Sequence, residues 1–307
     1  MTGAPGSLVA GVPLTNILRG FLMGSADIVP GVSGGTVALV LGIYERLVHN
    51  IHTGAGVLGA ALRGRIPEAA GRWRQIEWAF LLSLLAGIAI AVVSLARLLE
   101  ALLEDHPQAI AGLFFGLIAG SIVIAWKLVG RWAPSLYATT AIVALGAFFV
   151  LGLRSGDVAN PSTPIFFAAG TLAIVAMILP GISGSFILLM IGMYDAVLAA
   201  VNDRELTTLL VLALGAVVGL AGFSTILDRL LRDHHDLTMA VLVGIMVGSL
   251  RVLWPWPDGT DTAALGAPTN GIGPLLLALV GVAAVTAIGR FAAERPMIDR
   301  PEGPSRD

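Results

Sequence analysis

Cysteine is absent from the 307 residues, which excludes disulfides, thiolate metal sites and cysteine nucleophiles and leaves the redox compartment unmarked. Charge is nearly as scarce. Asp, Glu, Lys and Arg make up 12% of the chain and sum to a net charge of −2. No block of like charge is long enough to be an interaction tail, and nothing resembles a nucleic-acid footprint. The opening segment, MTGAPGSLVAGVPLTNILRG, has no charged n-region followed by a small-residue cleavage site, so no removable signal peptide is read there. A nucleotide-binding loop is also missing, so uphill work by this chain would have to draw on an ion gradient. What remains is apolar: 56% of residues are hydrophobic and the mean hydropathy is +0.88. That places the chain among integral membrane proteins.

About 20 helical residues cross a hydrocarbon core of roughly 30 Å. Apolar stretches of that order run over 78–98, 109–126, 136–153, 207–227, 238–254 and 274–291. Two more, 14–48 and 164–200, are too long for one crossing, and each is interrupted near its middle by a Pro-Gly pair, Pro30-Gly31 and Pro180-Gly181. Both read as re-entrant helical hairpins that turn at membrane depth and leave on the side they entered.

The hairpins are copies of one another. DIVPGVSGGTVALVLGIYERLV, from Asp27, aligns with MILPGISGSFILLMIGMYDAVL, from Met177, at a constant offset of 150. Ile28, Pro30, Gly31, Ser33, Gly34, Leu39, Gly42 and Tyr44 are each repeated there, and Glu45 meets Asp195. Similarity resumes at an offset of 128, where Gly87, Asp105, His106, Gly116, Gly120, Ser121 and Trp126 face Gly215, Asp233, His234, Gly244, Gly248, Ser249 and Trp254. The fold class that follows is an all-α polytopic membrane protein of two repeats, 14–153 and 164–291, each a re-entrant hairpin plus three transmembrane helices. The change of offset marks an amphipathic insertion at 54–76 in the first repeat, and tails occupy 1–13 and 292–307.

An odd number of crossings per repeat turns the second copy upside down. With both termini cytoplasmic, the basic residues, 18 in all, divide so that only Arg97, Arg154, Arg204 and Arg251 fall outside, as the positive-inside rule requires. Inverted repeats with a broken helix at matching positions are the signature of a secondary transporter whose site lies near the bilayer midplane. At each tip proline ends the incoming half-helix and glycine accepts unusual dihedrals, while Ser33 or Ser183 caps the outgoing one. The N–H groups of Gly34, Gly35 and Thr36, and of Gly184, Ser185 and Phe186, are then expected free at the positive end of a helix dipole, a ready anion site. Arg19, Arg97 and Arg251 are candidate cations for it, the latter two alternatively snorkelling to the interface. Asp27, replaced by Met177 in the second copy, is a coupling candidate or a cap for its own turn; Glu45 and Asp195 are weaker coupling candidates near the hairpin exits. The Gly116/Gly120 and Gly244/Gly248 pairs suit tight helix packing. The GxSG in both turns also occurs in intramembrane serine proteases, but His49, His52, His106, His234 and His235 lie in loops or at helix ends, none as a mid-span base.

Together GSADIVPGVSGGTVALVLGIYERLV and MILPGISGSFILLMIGMYDAVL resemble the bacterial and archaeal membrane family catalogued as domain of unknown function 368 and associated with polyprenyl-phosphate transport. The resemblance runs from about 14 to 291. It implies a flippase-like carrier, not an enzyme, that returns undecaprenyl phosphate across the cytoplasmic membrane for cell-envelope synthesis, with no cofactor beyond a coupling ion, H+ or Na+. Its motif falls on Asp27, Pro30, Gly31, Ser33, Gly34, Gly35 and Thr36 and on Pro180, Gly181, Ser183, Gly184 and Ser185. Read from the residues alone, a carrier or channel for a small soluble anion would use the same dipoles, and oligomeric state is not legible.

Overall fold

The structure, a computed structural model, describes residues 13–29, 31–256, 265–269 and 272–293. Pro30 and the tails at 1–12 and 294–307 lie outside the described residues, as do 257–264 and 270–271. Every element among those described is helical: α1 (Pro13–Asp27), α2 (Gly34–Val40), α3 (Tyr44–Leu62), α4 (Ile66–Gln75), α5 (Trp78–Asp105), α6 (Pro107–Leu128), α7 (Pro134–Val150), α8 (Thr163–Ile178), α9 (Gly184–Met190), α10 (Tyr194–Asn202), α11 (Leu206–Asp233), α12 (His235–Ser249) and α13 (Ile272–Ala293). Helices satisfy their own backbone, which is what a lipid solvent demands.

Each long apolar stretch contains two breaks rather than the single turn expected. The first lies between α1 and α2, or α8 and α9, where Gly31 and Gly181 hold φ of 81° and 91°. The second follows a helix of only seven residues, where Gly42 and Gly192 hold φ of 67° and 70°. These are left-handed dihedrals that an L side chain resists. At the second break α9 and α10 are bent by 113°.

Helix boundaries keep the offsets of the sequence. α2 and α9 start 150 residues apart, at 34 and 184, while α5 and α11, both of 28 residues, start at 78 and 206, 128 apart. A third offset emerges only here: α7 and α13 start at 134 and 272, 138 apart. α1 packs on α5 and α8 on α11, each within its own half, whereas α6 packs on α13 and α12 on α7, exchanging third helices between halves. A Cβ on Gly20 would meet the carbonyl of Leu84, and one on Gly170 that of Leu212; on Gly87 and Gly215 it would meet the carbonyls of Ile17 and Phe167. The two crossings are therefore the same crossing, built twice. Gly116 and Gly244 likewise lie against the backbones of Ala278 and Thr140, the close approach that small residues permit in membranes.

α5, α6, α11 and α13 are long and apolar enough to cross a membrane. The spans expected at 136–153 and 238–254 are shorter: α7 has 17 residues and α12 has 15, about 25 and 22 Å at 1.5 Å per residue. Beyond α12 the chain winds on in i→i−3 turns as far as the N–H of Trp254. The boundary expected between hairpin and insertion falls inside α3, and the insertion itself is the end of α3 plus α4. Leu58, Leu62, Ile66 and Trp73 are exposed there beside Arg63, Arg65 and Arg74, the mixture of an interfacial helix. Arg46 is paired with Glu77 and Asn50 exchanges two hydrogen bonds with it, at 3.0 and 2.8 Å, tying α3 to the start of α5. The Arg46 bond holds the Glu77 carboxyl below its ordinary value. The main core joins the halves: Leu39, Tyr44, Val48, Phe80, Leu84, Leu227, Leu231, Met239 and Met246 form one buried cluster.

Adding a methyl at the duplicated crossing should overpack it. Gly87→Ala and Gly215→Ala are each expected to destabilise by about 1–3 kcal/mol, read as lower thermal midpoints in detergent. Gly59→Ala, on α3 with open space around it, should leave the midpoint unchanged or raise it.

Candidate functional site

The tip of the first hairpin is self-contained. Asp27, the last residue of α1, accepts the N–H of Gly34 at 2.6 Å through Oδ1. Ser33 has extended dihedrals, φ −131° and ψ 133°, and its Oγ accepts the N–H of Gly35 at 3.1 Å. The N–H of Thr36 bonds the carbonyl of Ser33 at 3.0 Å. The N–H groups of Gly34, Gly35 and Thr36, expected free for an anion, are thus all engaged by the turn itself. The turn supplies a carboxylate for Gly34, a hydroxyl for Gly35 and a carbonyl for Thr36, at the positive helix end where an anion would need the same donors. A Cβ at Gly34 would meet that carboxylate.

The first tip also completes the second. The last carbonyls of a helix have no partner within it, and at the end of α8 these are satisfied from the other hairpin. Ser33 Oγ lies 3.2 Å from the carbonyl of Met177 and 3.3 Å from that of Leu179, its single hydrogen shared between them. Tyr44 Oη donates to the carbonyl of Ile178 at 3.0 Å. Thr36 Oγ1 accepts the N–H of Gly181 at 2.8 Å. Ser33, Thr36 and Tyr44 are 0%, 2% and 4% exposed, so no water stands in for these bonds. Gly35 is small because a Cβ there would sit 2.9 Å from the carbonyl of Ile178.

Among the described residues none of this is reciprocated. Ser183 Oγ accepts the N–H of Phe186 at 3.2 Å and lies 2.8 Å from Ser185 Oγ. Met177 stands where the first copy has Asp27, so no carboxylate caps α9. Among the described residues nothing accepts from the N–H of Gly184 or Ser185. Ser185 is half-buried, and Tyr194, counterpart of Tyr44, is 40% exposed.

The three arginines are dispersed. Arg19 donates to Asn16 Oδ1 at 3.0 Å within α1, and Arg97 is exposed on α5. Arg251 holds its guanidinium 4.7 Å from the ring centroid of Phe148. Its neighbours reach both tips: a Cβ at Gly181 would be 2.7 Å from Ser249 Oγ, and one at Gly31 2.8 Å from Val252 Cγ1. Val252 further packs with Leu151 and with Phe186 of α9. The segment of Arg251 thus lies against both tips, while its guanidinium sits over Phe148 and beside Gly152. Glu45 lies 3.2 Å from His235 Nε2 at the start of α12, and Asp195 is exposed in the first turn of α10. Asp236 accepts the N–H groups of Gly130 and Arg131, which hold its carboxyl below the ordinary value.

No described histidine is hydrogen-bonded to Ser33 or Ser183. His106 and His234 are backbone hinges at nearly equal dihedrals, φ −136° and −139°, without a side-chain cap. His49 and His52 face α11 at a buried carboxylate, Asp228, that sequence reasoning passed over. An acid with Arg232 at i+4 near a helix end reads as a solvated pair; its bond to His49 comes from 179 residues away.

The structure is thus an all-helical one with several membrane-length apolar helices, in which the buried hydroxyls of Ser33, Thr36, Tyr44 and Ser183 stand at two broken hairpins and no described histidine is bonded to either serine. The chain belongs to the family described as VCA0040-like, undecaprenyl phosphate translocase-like, whose pattern matches residues 23–267. It is 40% identical over 247 residues to the polyprenyl-phosphate transporter of Vibrio cholerae serotype O1, covering 80% of this chain and 79% of that protein. It is 32% identical over 300 residues to the polyprenyl-phosphate transporter of Staphylococcus aureus, covering 91% of this chain and 97% of that one. No solved structure matches.

Thr36→Val keeps the shape of the side chain but strands the N–H of Gly181. It is expected to lower stability by about 1–3 kcal/mol. Ser185→Ala, which strands no backbone group, should stay within about 0.5 kcal/mol of the parent; thermal unfolding in detergent compares the two.

Proposed function

We propose that the chain is a flippase-like membrane transporter that moves a polyprenyl phosphate, of the undecaprenyl class, between leaflets of the cytoplasmic membrane and so recycles the lipid carrier of cell-envelope synthesis. The observation that carries this reading is the meeting of two broken hairpins in one buried core, with the donors of one tip committed and those of the other open. The names of the relatives supply the substrate class. The second tip supplies chemistry that fits it: the N–H groups of Gly184 and Ser185, the hydroxyls of Ser183 and Ser185, and Arg251 for charge. A phosphate monoester carries about −1.5 to −2 at neutral pH and is held best by such charge-assisted bonds. Asp27 at the first tip would repel the same head group, so the head group is assigned to the second.

In this reading the two halves are inverted repeats with re-entrant hairpins, both termini are cytoplasmic, and the tips approach the midplane from opposite faces. The one-sided bonding then describes one of two exchangeable states. Tyr44 now donates to Ile178; in the opposite state Tyr194 would donate to the carbonyl of Ile28, its counterpart, and Tyr44 would be released. Work against a gradient would draw on H+ or Na+, with Asp27, which has no counterpart, as the coupling group.

Reconstitution in liposomes containing a polyprenyl phosphate tests the proposal through the rate at which the head group becomes accessible on the far leaflet. Acceleration well above protein-free liposomes is expected, reduced about tenfold by Ser183→Ala with Ser185→Ala together, equivalent to losing about one hydrogen bond to a charged group. No acceleration by the parent protein would refute the proposal, and acceleration of inorganic phosphate alone would transfer the site to a soluble anion. Asp27→Asn retains an acceptor for Gly34 through its amide oxygen. It should still equilibrate the lipid but lose accumulation driven by an imposed H+ or Na+ gradient.

A further inference from the structure

Asp228 is buried in α11, its side chain 5% exposed, at a seam with α3 away from the hairpin tips. A carboxylate so placed in a membrane helix needs partners. Arg232 Nη2 lies 2.7 Å from Oδ2, and His49 Nδ1, which must donate because an ionised carboxylate only accepts, lies 3.2 Å from Oδ1. His52 is held differently. Thr225 Oγ1 spends its hydrogen on the carbonyl of Ala221 at 2.8 Å, so the 3.1 Å contact with His52 Nδ1 requires that nitrogen to carry the proton. Neutral His52 therefore turns the lone pair of Nε2 toward Asp228 Oδ2, 3.8 Å away.

Charge explains why that position stays empty near neutral pH. Arg232 already compensates Asp228, so a proton on Nε2 would add an uncompensated charge to a largely enclosed site, with His49 and Arg72 of α4 also nearby. Burial is the first cause that holds the imidazole below its ordinary value; Asp228 opposes it, and Arg232, His49 and Arg72 reinforce it. Of the other helices packed on α11, α8 has no titratable side chain and α10 carries Tyr194 and Asp195, both exposed, while on α4 Arg72 is paired with Glu68. His235 and Asp236 of α12 are occupied with Glu45 and with the N–H groups of Gly130 and Arg131. A group held neutral in the closed seam contributes stability above the ordinary imidazole value, and that contribution is lost as pH falls.

We propose that His52 is a proton-binding residue of the α3–α11 seam, and that its protonation releases α3 from α11 and speeds lipid movement when the adjoining compartment turns acid. The seam joins the first half to the second, so its release frees the motion that alternating access needs; this part rests on the transporter reading. The proton site itself does not.

The test compares the parent, His52→Gln and Arg232→Gln in liposomes, with pH varied on the side bearing α3 and α4. His52 and Arg232 have side chains 23% and 56% exposed, so both variants are expected to fold. The parent should speed about tenfold from pH 7.5 to 5.5, the change given by one unit of proton affinity. His52→Gln should lose that response. Arg232→Gln should reverse it, since a proton on His52 would then pair with an otherwise uncompensated Asp228. Titration of the phosphate head group moves all three proteins alike. Parallel profiles for the parent and His52→Gln, or an unreversed response in Arg232→Gln, would overturn the proposal. Thermal midpoints in detergent read the seam without transport: the parent should lose stability in acid relative to His52→Gln. That result in a protein that moves no lipid would remove the transporter reading and keep the proton site, whereas equal slopes would remove the site even where lipid moves.

Discussion

Everything in this molecule depends on how broken backbone is satisfied away from water. An unpaired carbonyl or N–H at membrane depth costs several kcal/mol, and two interrupted helices create a set of them. Ser33, Thr36 and Tyr44 of one hairpin bond the backbone at residues 177 to 181 of the other. Neither hairpin is therefore an independent unit. The second needs the first to complete its helix end, and the first seats its own tip by doing so. The duplicated crossings of α1 on α5 and α8 on α11, backbone against backbone at glycine, hold the arms in place around this contact.

The contact is unsymmetrical although the sequence that makes it is nearly symmetrical. Two substitutions in the repeat contribute, Asp27 against Met177 and Thr36 against Phe186, whereas Ser33 and Tyr44 bond across although Ser183 and Tyr194 match them. The carboxylate takes the Gly34 N–H at the start of the next helix, and the threonine reaches across while the phenylalanine packs with Leu151 and Val252. A duplicated element has thus become one committed tip and one open tip. Under the proposed function, that division would place repulsion and recognition of an anionic head group on different halves of the molecule.

Much of the fold was legible because its signals are local. The Pro-Gly pairs, the offsets of 150 and 128 and the apolar lengths each depend on a few neighbouring residues. The breaks at Gly42 and Gly192 were visible as identities but not as breaks, since a glycine in an apolar run is ambiguous until its dihedral is known. The offset of 138 between α7 and α13 was not legible: many of their side chains remain exposed, where any apolar residue serves, and identity between the copies is lost. At the site, the expectation of free N–H groups at 34 to 36 failed because Asp27, seven residues back, takes that of Gly34 and Ser33 takes those of Gly35 and Thr36. Tyr44 and Asp228 were missed for a common reason. Their partners lie 134 and 179 residues away, beyond any pattern that spacing can carry.

The central claim is that the two tips interlock in one state and must part for lipid to pass. The natural absence of cysteine makes it directly testable with Ser33→Cys and Leu179→Cys combined in one chain, joined by oxidation or by a short bifunctional thiol reagent. The account predicts that the joined protein stays folded but moves no polyprenyl phosphate in liposomes, and that cleaving the link restores movement. A joined protein that moves lipid as fast as the cleaved one would contradict it.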